Sequence, residues 1–253
     1  NKPSTRGSFG FITKDPHKRM YDGFLFSKNT VNTVSNPKII SLIEFYLQQE
    51  VVMTECFLKQ DLGTNISYFP YHRHTGSDLN TNDNITKHTN NKFGCGVMFY
   101  LHDTNDGAFC YAPGSHKTPL DTNVYLLNQH PDKDKISQKL FRIVGPKGSI
   151  VIFNEAGWHG PEQPVNVQRT VILSGYQSRV YSENKTRTEI PILVSNIHSL
   201  SDIPKRAIGF SSGSRTDFKD YHMRNGKLSL LYKLFNFTTE GLFKLKRIKQ
   251  AIK

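Results

Sequence analysis

The feature that most constrains the fold of this chain is a series of short β-rich runs separated by turn residues. The runs are rich in β-branched and aromatic residues and cover 51–58, 65–71, 97–102, 108–112, 149–154 and 169–177. Short strands divided by Gly, Pro and Asn turns are typical of a β-sandwich or a β-barrel. The pattern therefore predicts a mainly β domain with a substantial core.

Helical patterns flank this β segment on both sides. Asn36 followed by Pro37 is a typical helix start, and apolar residues recur at helical spacing as far as about Gln49. This helix is expected to pack against the outside of a sheet. A second, lysine-rich helical pattern lies between Leu242 and Ile252. We expect one domain over 1–253, with an N-terminal helical flank 1–50, a β core of about 51–178 and a basic C-terminal extension 179–253.

Two loops interrupt the predicted strands. The first, 77–91, is rich in Asn, Asp and Thr, and the second, 117–142, is long enough to hold a short helix near 135–140. Loops of this length in a compact domain are often lids or substrate loops, although disorder is the simpler alternative.

Charge and cysteine usage limit the partners and the compartment. The net charge is +12, of which residues 211–253 contribute +7 because they hold ten Lys/Arg and three Asp/Glu. An anionic partner or substrate is favoured, but the basic helix is more often a solvated face, so no nucleic-acid partner is expected. Three cysteines without a C-x-x-C spacing argue against a disulfide framework and favour a cytoplasmic location. No apolar run approaches a transmembrane span.

The pair His72 and His74 is the first candidate for chemistry. Residues i and i+2 of a strand point to the same face, so the two imidazoles can converge on one point. Two imidazoles on one strand are half of a site for Fe, Zn, Cu or Ni. Two solvent-facing histidines, or a polar network in the core, are the alternative reading.

His159 and Arg169 form the second candidate. His159 follows the β-run that ends at Asn154, and Arg169 opens the next apolar strand ten residues later. A buried unpaired charge is very costly, so an arginine there needs an anion. A dicarboxylic acid held by the guanidinium meets that need, and a structural salt bridge or an exposed arginine is the alternative.

A third segment runs from Asp106 and Gly107 to Pro113, Gly114, Ser115 and His116. Together with the H-x-H pair, Trp158-His159 and Arg169, its order resembles the phytanoyl-CoA dioxygenase family of Fe(II)- and 2-oxoglutarate-dependent oxygenases. The resemblance covers about 65–178. It implies a double-stranded β-helix (jelly-roll, cupin-like) core with flanking α-helices.

The resemblance also implies the roles of the site residues. His72 and His159 would bind iron, Arg169 would bind the distal carboxylate of 2-oxoglutarate, and His116 would shape a loop beside the site. The family's carboxylate ligand falls at His74, so the usual two-His-one-carboxylate triad becomes three histidines, with Asp78 a weaker alternative ligand.

The sequence leaves three functions open. The first is an Fe(II)/2-oxoglutarate-dependent dioxygenase that hydroxylates a C–H bond of a small or carrier-linked, anionic substrate. The second is a catalytically inactive jelly-roll binding module that lost the reaction through His74. The third is a three-His metal oxygenase that does not need 2-oxoglutarate and uses Arg169 to bind the carboxylate of its substrate.

Overall fold

Two antiparallel β-sheets form the framework of the protein. The computed structural model describes residues 17–21, 27–63, 70–74, 93–118, 124–163, 167–178 and 200–208. Within these ranges the chain forms eight strands, arranged as a five-stranded sheet and a three-stranded sheet. The prediction of a mainly β fold is confirmed.

The larger sheet has the strand order β1-β2-β8-β3-β6. Its members are β1 (His17–Tyr21), β2 (Val51–Leu62), β3 (Gly94–Tyr100), β6 (Ile150–Asn154) and β8 (Gln168–Ser178). β8 lies in the middle and pairs with β2 from Gln168 to Ser178 and with β3 from Val171 to Gln177. Every residue of β3 is buried, as expected for a strand covered on both faces.

The smaller sheet has the strand order β5-β4-β7. It consists of β4 (Thr104–Tyr111), β5 (Phe141–Gly145) and β7 (His159–Pro161). Phe109 of this sheet packs in one buried cluster with Met98, Val151, Phe153 and Val171 of the larger sheet. The two sheets therefore pack against each other through side chains of both inner faces.

Four short helices accompany the sheets in the described ranges. They are α1 (Lys28–Val34), α2 (Pro37–Leu47), α3 (Lys133–Ser137) and α4 (Asp202–Ala207). Two single-turn 3₁₀ helices cover Ser115–Lys117 and Leu127–Gln129. α2 begins as predicted, because the side chain of Asn36 caps the amide of Lys38 and Pro37 occupies the first turn.

α2 packs against the outer face of the larger sheet, as predicted. Its buried residues Ile39, Ile40, Ile43 and Leu47 join a cluster that also contains residues of β2, β3 and β8. The core thus has two layers, one between α2 and the larger sheet and one between the two sheets.

Some predicted elements differ in extent. The predicted helix at 135–140 is observed as α3, which starts two residues earlier and ends at Ser137. β5 was missed, because its side chains are mostly exposed and its pattern merges with the loop before it. β1, β7, α1 and α4 were also missed, since each is short. The predicted strand over 65–71, the loop 77–91 and the basic C-terminal helix lie wholly or largely outside the described residues.

All three cysteines, Cys56, Cys95 and Cys110, are buried. Among the described residues, no helix is long and apolar enough to cross a membrane.

Replacing Gly96 by Ala tests the close packing between the sheets. An added Cβ at Gly96 would overlap the ring of Phe153, which also packs against Phe109. Overpacking of this kind costs about 1–3 kcal/mol, so we expect Gly96→Ala to lower the free energy of unfolding by that amount in a urea titration. The exposed Ser137→Ala on α3 is the control and should change it by less than about 0.5 kcal/mol. Equal stability of both variants would contradict this account of the packing.

Candidate metal centre

The three candidate histidines are brought together by backbone pairing. His72 and His159 exchange two hydrogen bonds, from N of His72 to O of His159 (2.9 Å) and from N of His159 to O of His72 (2.8 Å). Two residues on, N of His74 donates to O of Glu155 (2.9 Å). The short segment 70–74 therefore runs beside the turn that links β6 to β7, with His72 also bridged to Leu126 on its other side.

The imidazole rings converge on one point. The ring centroids of His72 and His159 are 4.3 Å apart, and the centroid of His74 lies 5.5 Å from each of them. One ring nitrogen of each residue lies within 4.8 Å of the others. His159 is buried, whereas His72 and His74 are partly exposed. The expectation that an H-x-H pair and a distant histidine face each other is therefore met by the geometry.

The outer nitrogen of each ring has an acceptor. Nδ1 of His159 lies 2.7 Å from O of Gly157, and Nδ1 of His72 lies 3.2 Å from O of Pro70. A carbonyl oxygen only accepts, so each Nδ1 carries the proton and Nε2 keeps its lone pair. Nδ1 of His74 lies 3.6 Å from Oε2 of Glu155. Such partners fix the tautomer and orientation that a metal-binding imidazole needs.

The electrostatics favour neutral imidazoles. Burial, together with the neighbouring imidazoles, holds the pKa of His72 well below its usual range and lowers the pKa of His159 to about 3. Burial alone would raise the pKa of Glu155, but the attraction of His74 outweighs it, so the pKa of this carboxyl lies below its ordinary value. The rings of His72 and His159 thus keep a free lone pair on Nε2, and one ionised carboxylate, Glu155, lies behind His74.

Lys59, Asp61 and Arg169 form a cluster of buried charges, called here the charged cluster. Nε of Arg169 donates to Oδ2 of Asp61 (2.5 Å), and Nη1 of Arg169 donates to the carbonyl of Gly107. Nζ of Lys59 lies 3.1 Å from Oδ1 of Asp61. Burial raises the pKa of Asp61, but Lys59 and Arg169 outweigh this and hold it below its usual value. Lys59 and Arg169 thus share the carboxylate of Asp61.

The three histidines, Lys59 and Arg169 line one cavity of about 590 Å³. The remaining wall is largely apolar and includes Met98, Phe109, Phe153 and Leu173. The rings of Phe153 and Phe109 lie 4.8 and 5.8 Å from the ring of His159. A cavity of this size, with an apolar wall and a few convergent polar groups, is typical of a small-molecule site.

Arg73 separates the two histidines in sequence and also contributes to the cavity wall. It is buried and donates from Nη1 to Oγ1 and from Nη2 to O of Thr118, both at 3.2 Å. Its Cζ lies 5.3 Å from the centre of the Trp158 ring, a cation–π distance. These contacts fix the segment that carries the histidines to the 3₁₀ turn at 115–117, where Nδ1 of His116 lies 3.4 Å from the hydroxyl of Tyr111.

The structure adds residues that the sequence reading missed. Arg169 is buried as expected, but its counter-charge is Asp61, the structural ion pair that had been the alternative interpretation. Lys59, Asp61 and Glu155 were not singled out. Lys59 and Asp61 sit two apart on β2, and charged residues inside an apolar strand are a signal that could have been noticed. Asp78 lies outside the described residues.

A family model matches most of the chain. The model described as phytanoyl-CoA dioxygenase (PhyH) matches residues 8–167, well over half of the 253-residue chain. No curated protein sequence matches the chain.

Solved structures are similar in fold. EctD from S. alaskensis with 2-oxoglutarate and 5-hydroxyectoine aligns with a TM-score of 0.50 at 16% identity, over 64% of this chain and 57% of EctD. The non-heme alpha ketoglutarate dependent epimerase SnoN from nogalamycin biosynthesis gives 0.46 at 14%, over 64% of this chain and 61% of SnoN. HygX from Streptomyces hygroscopicus with nickel and 2-oxoglutarate gives 0.44 at 16%, over 65% and 71%. The chain thus spans less than two thirds of EctD and of SnoN, and the likeness to EctD supports the double-stranded β-helix fold.

Replacing Asp61 by Asn tests the charged cluster. The change leaves two buried cations without their carboxylate, and breaking a buried ion pair in this way costs about 3–5 kcal/mol. Because the pKa of Asp61 is lower in the folded protein, its stabilisation is present above the unfolded value of about 3.9 and is lost as pH falls through the folded value. We expect Asp61→Asn to lower the free energy of unfolding at pH 7 and to flatten its fall below about pH 4.

Denaturant titrations between pH 7 and pH 2 measure both effects. The exposed Asp132→Asn serves as the control, since Asp132 pairs with Lys135 at the surface (2.9 Å), and exposed pairs contribute about 0–1 kcal/mol. A stability of Asp61→Asn equal to that of the wild type at pH 7 would refute the role of the cluster.

Proposed function

Because the chain belongs to the phytanoyl-CoA dioxygenase family, we propose that it is an Fe(II)- and 2-oxoglutarate-dependent oxygenase that hydroxylates a C–H bond. Membership of this family supports an oxygenase-type enzyme that uses iron and 2-oxoglutarate. The iron ligands in this proposal are His72, His74 and His159, and Arg169 anchors the cosubstrate.

The observation that carries the proposal is the group of three imidazoles with their Nδ1 atoms turned outward. One ring nitrogen of each residue lies within 4.8 Å of the others, and all three residues line one cavity. Neutral imidazole is a common ligand of Fe(II). The low pKa values of His72 and His159 mean that no proton has to be displaced from these rings at neutral pH. The residues present therefore fit a mononuclear metal ion.

The charged cluster of Lys59, Asp61 and Arg169 supports a dicarboxylate cosubstrate. Lys59 and Arg169 share Asp61, and all the hydrogen bonds of Arg169 within the described part of the chain use Nε and Nη1. Arg169 also lines the cavity. A carboxylate placed against Arg169 could accept a charged hydrogen bond from the remaining guanidinium nitrogen, Nη2. The other end of the same molecule can then reach the three histidines across the shared cavity.

In this proposal the chain positions the reactants. Iron with 2-oxoglutarate would supply the oxidation by dioxygen when both are bound. The histidines would hold the metal, and Arg169 would orient the cosubstrate. The apolar wall, which includes Met98, Phe109 and Phe153, leaves room for an apolar portion of the substrate. We propose a small or carrier-linked substrate whose reacting carbon lies against this wall.

We expect the Fe(II) and 2-oxoglutarate complex to show a visible charge-transfer band when both are added to the protein without oxygen. Arg169→Gln should raise the 2-oxoglutarate concentration that gives half of this band by about 10-fold or more, because a charged hydrogen bond worth about 1.5–3 kcal/mol is lost. Arg142→Ala removes an equal charge at the surface, where Arg142 pairs with Glu162 (2.6 Å). It should leave the titration unchanged.

Each outcome of this titration separates the candidate functions. A band that depends on Arg169 supports the oxygenase. Bound iron without any band would favour the oxygenase that does not need 2-oxoglutarate. A protein that binds no iron would favour the binding module.

His159→Ala should abolish tight iron binding, since it removes the buried ligand and both neighbouring histidines remain partly exposed. Iron content after anaerobic loading and gel filtration measures the effect. The partly exposed His102, which accepts from the amide of Thr170 (2.8 Å) and does not line the cavity, provides His102→Ala as the control. Full iron content in His159→Ala would exclude the proposed centre.

A further inference from the structure

A buried carboxylate stands behind the histidine that replaces the family's carboxylate ligand. We infer that Glu155 is a positioning residue that fixes the ring of His74 and supplies, through it, the negative charge that the metal ligands themselves lack. The inference rests on the proposed metal site. It does not depend on the cosubstrate or on the reaction.

The position of Glu155 is set by backbone contacts on both sides. Its carbonyl accepts from N of His74 (2.9 Å), and its amide donates to O of Gly94 (3.2 Å). The residue is 3% exposed, and Oε2 lies 3.6 Å from Nδ1 of His74. The backbone bond and the side-chain contact join the same two residues, so the carboxylate and the imidazole are held in a fixed relation.

Two glycines of the larger sheet make room for this carboxylate. A Cβ on Gly94 would lie 2.8 Å from Oε2, and a Cβ on Gly175 would lie 3.2 Å from Oε1. The adjacent strands β3 and β8 therefore leave a slot that a side chain at either position would fill. The amide side chain of Gln177 also hydrogen-bonds the carboxylate.

A carboxylate in such a slot needs a partner. Burying an unpaired ionised carboxylate is very costly, and Oε2 has no hydrogen-bond partner within ordinary distance among the described residues. Nδ1 of His74 lies just beyond that distance. A proton held on Nδ1 and shared with Oε2 satisfies the carboxylate and leaves Nε2 for the metal.

The charge balance explains why a third histidine is tolerated. Two neutral imidazoles and a carboxylate place one negative charge beside the metal. Three neutral imidazoles place no negative charge there. Glu155 supplies one negative charge on the far side of the His74 ring. An anionic acceptor on the outer nitrogen also makes the ring a stronger donor to the metal. The negative charge is thus carried by Glu155, which contacts the ligand His74, and not by a ligand itself.

The experiment measures Co(II) affinity of the full chain by anaerobic titration, followed by the visible absorption of the bound ion. Glu155→Gln keeps the shape of the side chain but removes its charge, and we expect the affinity to fall about 10- to 100-fold, as is usual when a partner of a metal ligand is lost. Glu162→Gln removes a carboxylate that pairs with Arg142 and does not line the cavity. Its affinity should stay within about 2-fold of the wild type. Thermal unfolding without metal checks that the variants are folded.

Glu155→Gln in a His74→Asp background tests whether Glu155 acts on the metal through the imidazole of His74. The carboxylate introduced by His74→Asp offers no imidazole N–H, so Glu155→Gln should then change Co(II) affinity by less than about 3-fold. An equal loss in both backgrounds would mean that Glu155 acts on the metal by itself or on the fold, and would overturn the inference.

Paramagnetic proton NMR of the Co(II) protein gives a second readout that a merely structural role would not move. Each coordinated imidazole contributes one exchangeable, strongly shifted N–H signal. His74→Asp should remove one of them, and Glu155→Gln should shift that same signal. Undiminished Co(II) affinity in Glu155→Gln would overturn this inference alone, whereas a wild-type protein that binds no Co(II) would overturn the metal site itself.

Discussion

The pairing of β8 between β2 and β3 is the interaction on which the rest of the structure depends. β8 is the central strand of the larger sheet, and its register sets Arg169 directly opposite Asp61. A shift of one residue would turn Arg169 to the other face and leave its charge unpaired. The ion pair between Asp61 and Arg169 therefore favours this register.

The candidate metal centre depends on that sheet through β6. The chain leaves β6 at Asn154, passes Glu155 and returns at His159, where it pairs with the segment that carries His72 and His74. The three imidazoles are thus held by main-chain hydrogen bonds between two short segments. The site consequently combines rigid placement with an opening on the side where His72 and His74 remain partly exposed.

Two buried carboxylates pair with groups that line the cavity. Asp61 contacts Lys59 and Arg169, and Glu155 faces His74. The cationic and histidine groups of the cavity wall are thus each held by a carboxylate on another element.

The sequence by itself determined the class of fold and the types of ligand. Short β-rich runs between turns predicted the sheets, because that signal is local. An H-x-H pair with a distant histidine and arginine indicated the candidate site. Short or exposed elements such as β5 and β7 escaped, since few residues carry their pattern.

Only the tertiary structure decided the partners. Asp61 meets Arg169 across 108 positions of sequence, and Glu155 meets His74 through a turn and two glycines on other strands. Such contacts follow from strand register and close packing between distant segments, which no local pattern of residues encodes.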